Sequence, residues 1–175
     1  MLLVAKKRAA LVALHAQLRE GRMDKRYFVL VRGKWRDAVR AVELSLTKFV
    51  TGEGERRVRV EHEGRAARTV FRLVRKWPDA EPPLALLEAE LDTGRTHQIR
   101  VHLASVGHPV VGDDTYGGGG GRRLAALPLH RHFLHAAWLR FRHPLSGALL
   151  DLRSPLPDDL KRSLAALSGM PELAS

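Results

Sequence analysis

The chain of 175 residues contains no cysteine. That excludes disulfide frameworks, cysteine-ligated zinc, iron–sulfur clusters and thiol catalysis. It also has no run of about 18 apolar residues, so no segment reads as a membrane-spanning helix. The opening MLLVAKKRAALVALHAQLRE takes up charge from Lys6 onward, lacks an uninterrupted apolar stretch and does not read as a secretory signal. Acidic residues are in short supply, 19 against 30 Lys and Arg, which leaves a formal charge of +11. Aromatics are few, at 6%, but several sit beside charge: Tyr27 follows Lys25-Arg26, Trp35 follows Lys34 and Trp77 follows Lys76. Such interleaving suits base stacking next to phosphate contacts, although a strand aromatic is more often simply core.

What is present points to a folded, soluble, cytosolic protein with a polyanionic partner. A hydrophobic content of 45% is ordinary for a globular chain and too high for a disordered one. The length corresponds to roughly one domain and is enough for a genuine core. The basic residues are spread along the chain, with clusters at Lys6-Lys7-Arg8, Lys25-Arg26, Arg56-Arg57, Arg65/Arg68, Arg95/Arg100 and Arg122-Arg123. Cations that neutralise phosphates release counterions, so this balance favours nucleic acid over a neutral partner.

Periodicity predicts a helix over residues 6–20, with Leu11, Leu14 and Leu18 on its apolar face and Gly21 as its stop. Strands are predicted at 24–33, 38–48, around 58–60, in RTVFRLVRKW, and over 84–91. In RTVFRLVRKW, alternation places Phe71, Leu73 and Trp77 on one face. HQIRVHLASV (97–106) reads as a helix with Thr96 as N-cap, Gly107 as stop and Ile99, Leu103 and Val106 as apolar face. A glycine-rich loop covers 112–123, a hairpin joins 132–142 to 148–153, and a closing helix spans 156–168. Strands outnumber helices and hairpins are evident, so the fold class is α+β with a mixed, largely antiparallel sheet flanked by helices.

Several chemistries lack their residues. The run Gly117–Gly121 is followed by Arg122-Arg123 rather than Lys-Ser/Thr, so it is a loop and not a phosphate cradle. No G-x-S-x-G occurs. Among nine histidines, His130, His132 and His135 come nearest to a ligand pattern, but His132 and His135 fall on opposite faces of a strand with no acid nearby. The segment from Leu91 to Leu103 differs: it packs a tight turn, a helix start and two arginines into a short stretch, an arrangement suited to anions.

That segment, GRTHQIRVH, resembles the motif of the pseudouridine synthases that modify large-subunit ribosomal RNA and some tRNAs. The resemblance extends in order along essentially the whole chain. VAKKRAALVALHAQLREGRMDKRYFVLVRGKW is similar to the family's helix-then-strand passage with its K-x-Y-x-x-L-V-x-G pattern. GHPVVGDDTYG is similar to its G-H-P-x-x-G-D-x-x-Y-G loop, and FLHAAWLRFRHPLSG to its closing hairpin. GERRVRV and the KKRxAL…LHxQLRE spelling are most similar to members acting on 23S ribosomal RNA.

The resemblance implies a catalytic residue role for Tyr27, stacking on the target uracil, and for Arg100, pairing with the catalytic aspartate. It implies that Ile99 and Leu134 line the base pocket and that Lys25, Arg26, Arg95 and His97 contact RNA. The reaction it implies is redox-neutral and needs neither cofactor nor metal. The family's nucleophilic aspartate lies in an H-R-L-D-x-x-T-S-G loop immediately before an L-L-V-A-K segment, and no such loop occurs in this sequence. Asp92, in Leu-Asp-Thr-Gly, imitates part of that motif but lies on the turn before the arginine helix and is rejected. The expectation is therefore that residues 1–175 are the C-terminal portion of a pseudouridine synthase catalytic domain, incomplete at the N-terminus, without an S4-like domain and inactive alone. Association through unpaired strands is also expected. The rival expectations are a non-catalytic RNA-binding or ribosome-assembly module, and a histidine-based metal hydrolase.

Overall fold

A computed structural model describes residues 1–117 and 127–168. In chain order the elements are α1 (Arg8–Arg19), β1 (Asp24–Arg32), β2 (Val39–Glu43), β3 (Leu46–Val50), β4 (Arg56–Val60), β5 (Arg68–Trp77), β6 (Leu84–Leu91), α2 (Gln98–Ser105), β7 (Leu134–Arg142), β8 (Leu149–Arg153) and α3 (Asp158–Ser168). Six strands form one sheet in the order β2-β5-β6-β1-β7-β8, and β3-β4 form a separate pair. Every pairing between these strands is antiparallel, in line with the α+β expectation.

The central position of β1 and β6 follows from their composition. FVLV in β1 and LALL in β6 are apolar on both faces, which suits a strand covered from both sides. On one face Val29, Val31, Phe71, Leu87 and Ala89 meet Ile99 and Leu103 of α2. On the other, Leu30, Leu84, Leu86 and Phe133 meet Leu160 and Leu167 of α3. Burying one such Leu or Phe contributes about 1.5–3 kcal/mol, so these two layers fix where α2 sits against β1.

Four local expectations are corrected. The strand expected over 38–48 breaks at Leu44-Ser45 into β2 and β3, because Leu44 N–H bonds the Ala67 carbonyl and Leu46 exchanges bonds with Arg65. The register of β5 slips between Leu73 and Arg75, which turns Trp77 to the α3 face while Phe71 faces α2. In α1, Leu14 is buried together with Ala10 and Gln17, whereas Leu11 and Leu18 are exposed. Gln17 is drawn inward because its amide donates to the Arg142 carbonyl at 2.9 Å and its oxygen accepts Arg142 N–H at 3.0 Å. Finally, α2 is entered through His97 and not Thr96: His97 takes the N-cap place in a left-handed conformation, φ 52°. Arg122-Arg123 and most of the glycine run lie outside the described residues.

Candidate active site

β1 runs through the middle of the sheet, and its alternation sends Lys25, Tyr27, Val29 and Val31 toward the α2 face. Tyr27 packs there, half-buried, against the cluster containing Ile99 and Leu103, and Leu134 of β7, opposite Val29, packs against the same cluster. Burial raises the Tyr27 phenol pKa, so it stays neutral at physiological pH. Of the three residues expected around a base, Ile99 lies inside this apolar cluster, and Tyr27 and Leu134 pack against it, partly buried.

The loop entering α2 is held by a polar network under it. Gln98, nearly inaccessible, accepts from Arg95 N–H at 3.0 Å and from the Thr93 hydroxyl at 2.8 Å. Its amide donates to the Arg68 carbonyl at 2.9 Å and to Thr69 Oγ1 at 3.0 Å. Thr69 in turn meets Nδ1 of the fully buried His102 at 3.0 Å. Burial holds the His102 pKa below its ordinary value, partly opposed by the Leu44 carbonyl, and so favours the neutral ring. These bonds bind the α2 entrance to β5 and fix the backbone of Arg95.

One position into α2 from Ile99 lies Arg100. Its Nε and Nη2 donate to the two carboxylate oxygens of Asp113, each at 2.7 Å. The Asp113 side chain is fully shielded from solvent and that of Arg100 is 12% exposed. Desolvation tends to raise the Asp113 pKa. The Arg100 bonds and the amides of Thr115 and Tyr116, at 3.0 and 3.1 Å, outweigh it and hold the carboxyl below its ordinary range. The guanidinium also stacks over the Tyr116 ring, 4.8 Å from its centroid. Tyr116 Oη accepts Val58 N–H at 2.9 Å and lies 2.9 Å from His97 Nδ1, to which it can donate. Burial, then Arg100, lowers the pKa of His97, with Asp113 opposing and Lys48 adding to the effect. Burial and Arg100 do the same to His132.

Of the expected RNA-contacting residues, Lys25 and Arg95 come together near Asp92 and Gly94. A Cβ at Gly94 would lie 3.3 Å from Lys25 Nζ. Burial lowers the Lys25 pKa; Asp92 opposes this and Arg95 adds to it. Arg26 goes elsewhere. It points to the opposite side of β1, where it donates to Glu88 at 3.1 Å and stacks on Trp138 at 4.6 Å. Asp92 is ion-paired with Arg68. Among the described residues, no three His, Asp or Glu converge as a metal site.

Asp113, Tyr116, Gln98 and His132 escaped the reading of the sequence as site residues. The GDDTYG stretch carried the signal. An arginine buried on a helix needs a carboxylate, and Asp113 follows a Gly that must adopt φ 76°.

The sequence profile described as RNA pseudouridylate synthase matches residues 1–105. The chain belongs to the RNA pseudouridylate synthase family. It is 45% identical over 168 residues to the ribosomal large subunit pseudouridine synthase C of Yersinia pestis, covering 95% of this chain and 51% of that protein. Identity to the protein of the same name in Escherichia coli K12 is 45% over 170 residues, with 95% and 52% covered. The chain thus spans about half the length of these pseudouridine synthases. Among solved structures, human RNA pseudouridylate synthase domain containing 1 superposes with a TM-score of 0.71 at 26% identity, covering 98% of this chain and 76% of that one. The synthase fold therefore frames the Arg100–Asp113 cluster and the Tyr27 surface described above.

Proposed function

We propose that this chain holds the target uridine in a synthase that isomerises specific uridines of 23S ribosomal RNA to pseudouridine in the cytoplasm. The observation that carries the proposal is the packing of Tyr27 and Leu134 against the cluster that holds Ile99, with Arg100, the next residue of α2, clamped and oriented by Asp113. The base must leave its stack, at a cost of a few kcal/mol, and the neutral Tyr27 ring offers a replacement stacking partner. The N1–C1′ bond then breaks, the uracil turns, and a C5–C1′ bond forms as C5 loses its proton and N1 gains one. Nothing is oxidised or reduced, and the proposal invokes no metal or cofactor.

Within this scheme Asp113 occupies Nε and Nη2 of Arg100, which leaves the Nη1 edge to hold a nucleophilic carboxylate ionised. Lys25 and Arg95 take backbone phosphates, while Arg26 on the far face has no part in the base site. We infer that the nucleophile comes from outside these 175 residues, which contain no H-R-L-D-x-x-T-S-G loop and whose Asp113 is committed to Arg100. A second reading is a non-catalytic RNA-binding or ribosome-assembly role for the chain alone. The test is tritium release from 23S RNA carrying 5-tritiated uridine. The chain alone is expected to bind this RNA and release no tritium. Release would overturn the missing nucleophile, and absence of salt-sensitive binding would overturn the RNA assignment.

A further inference from the structure

Between the β3–β4 pair and the loop entering α2 runs a cleft of about 440 Å³. Its walls include Lys48 of β3, Arg65 and Arg95, set against one acid, Glu63. All three cations are exposed. Among the described residues no carboxylate lies within ion-pairing distance of any of them. The outer face of the same strand pair is different: Arg57 is paired with Glu55 at 2.6 Å and Arg59 with Glu61 at 2.8 Å. Arginine is thus matched by acid on the outside of β3–β4 and left unmatched inside the cleft.

The cleft is also built to hold its shape. Arg65 and Leu46 exchange backbone hydrogen bonds at 2.9 and 3.0 Å. Gly64 sits so close to β3 that a Cβ there would come within 2.8 Å of Leu46 backbone atoms, so any side chain would force the turn away. Leu46 and Val58 pack on Val101 of α2, and Val58 N–H bonds Tyr116 Oη. Lys48 lies close enough to His97 to disfavour its charged form. One end of the cleft therefore meets the His97–Tyr116–Arg100 cluster, and the other follows Arg95 toward Lys25.

We propose that this cleft seats the ribose–phosphate backbone of the single-stranded RNA flanking the target uridine, with Lys48 and Arg65 each contacting a phosphate. The inference rests on the RNA-modifying reading above and adds to it two residues and a path. A strand lying along Lys48, Arg65 and Arg95 would deliver its next base beside Tyr27.

The experiment uses the full chain and a fluorescein-labelled oligouridylate, with binding followed by anisotropy across a salt series. Each phosphate contact on single-stranded RNA contributes about 0.7 to the log–log salt slope. The Lys48→Gln/Arg65→Gln variant should lower that slope by about 1.4 and weaken binding about 25-fold near 0.1 M salt, two contacts' worth. The Arg57→Gln/Arg59→Gln variant, on the acid-matched face, should leave slope and affinity unchanged. Thermal melts should match the unaltered chain for both variants, since all four side chains reach solvent. An unchanged slope in the Lys48/Arg65 variant, with binding intact, would overturn the cleft assignment. Equal losses in both variants would overturn it too, because they would mean diffuse charge and not a seat. Failure of the unaltered chain to bind would instead defeat the RNA-modifying reading itself.

Discussion

Replacing Asp113 by Ala would strand the Arg100 guanidinium, 12% exposed, without its two carboxylate bonds. It would also leave the amides of Thr115 and Tyr116 without their acceptor. Removing one partner of a buried pair typically costs about 3–5 kcal/mol, because the remaining charge is uncompensated. For a chain of this size about 2–4 °C of melting temperature accompanies each kcal/mol, so Asp113→Ala should melt about 6–20 °C lower. Asp113→Asn keeps an acceptor for the two amides but turns an NH2 group toward a donor-only guanidinium, so it should also be strongly destabilised. The double variant Arg100→Met/Asp113→Leu removes both charges and should recover a large part of the loss. Calorimetry of the four proteins at one concentration and salt is the assay. A drop of under about 1 kcal/mol for Asp113→Ala, the worth of an exposed pair, would refute the buried-clamp argument.

Other predictions follow from the same geometry. Tyr27→Phe should retain affinity for an oligouridylate carrying an unpaired uridine, whereas Tyr27→Leu should lose about 1–3 kcal/mol of stacking, measured by anisotropy. Leu103→Ala, at a fully buried α2 position, should cost about 2–5 kcal/mol in urea unfolding and loosen Arg100 with it. His97, His102 and His132 all have folded pKa values below the ordinary 6.5. The unfolded chain therefore binds more protons, so stability is fully present above pH 6.5 and is lost as pH falls through the folded values. Melting temperatures at about pH 7.5 and pH 5.5 should show that fall, and a rise on acidification would contradict it. Strand β8 is exposed along the edge of the sheet, with Leu149 at 59% and Leu152 at 37%. Concentration-dependent sedimentation is expected, and a single monomeric species at all concentrations would remove that expectation.

Much of the fold was legible because its signals are local. Short apolar runs closed by Gly33 and by Asp92-Thr93-Gly94 marked β1 and β6, the Pro144–Gly147 turn marked the β7–β8 hairpin, and Gly107 marked the end of α2. The failures were tertiary. Nothing in residues 38–48 announces the break at Leu44-Ser45, which depends on backbone bonds to Ala67 and Arg65, distant in sequence. The turn of Trp77 to the α3 face depends on one extra residue in a strand pairing, invisible to a period-2 count. Gln17 on the buried face of α1 looks polar until its two-way bond to Arg142 is seen.

The site shows the same division. Tyr27, Ile99, Leu134 and Arg100 were assigned by their motifs; in the structure Ile99 lies within an apolar cluster against which Tyr27 and Leu134 pack. The sequence offered Arg100 a catalytic aspartate as partner, yet the buried carboxylate it meets is Asp113. The resemblance had grouped Arg26 with Lys25, although adjacent strand residues face opposite ways, and only Lys25 joins the Arg95 side.

We propose above that this fold serves uridine isomerisation in 23S ribosomal RNA. Pseudouridine mapping of 23S RNA from cells with and without the gene tests it most directly. Pseudouridine is expected to disappear at defined 23S positions when the gene is removed and to return on restoration, but not with an Arg100→Met copy. An unchanged map, with the protein normally expressed, would contradict that proposal and leave RNA binding without catalysis as the chain's role.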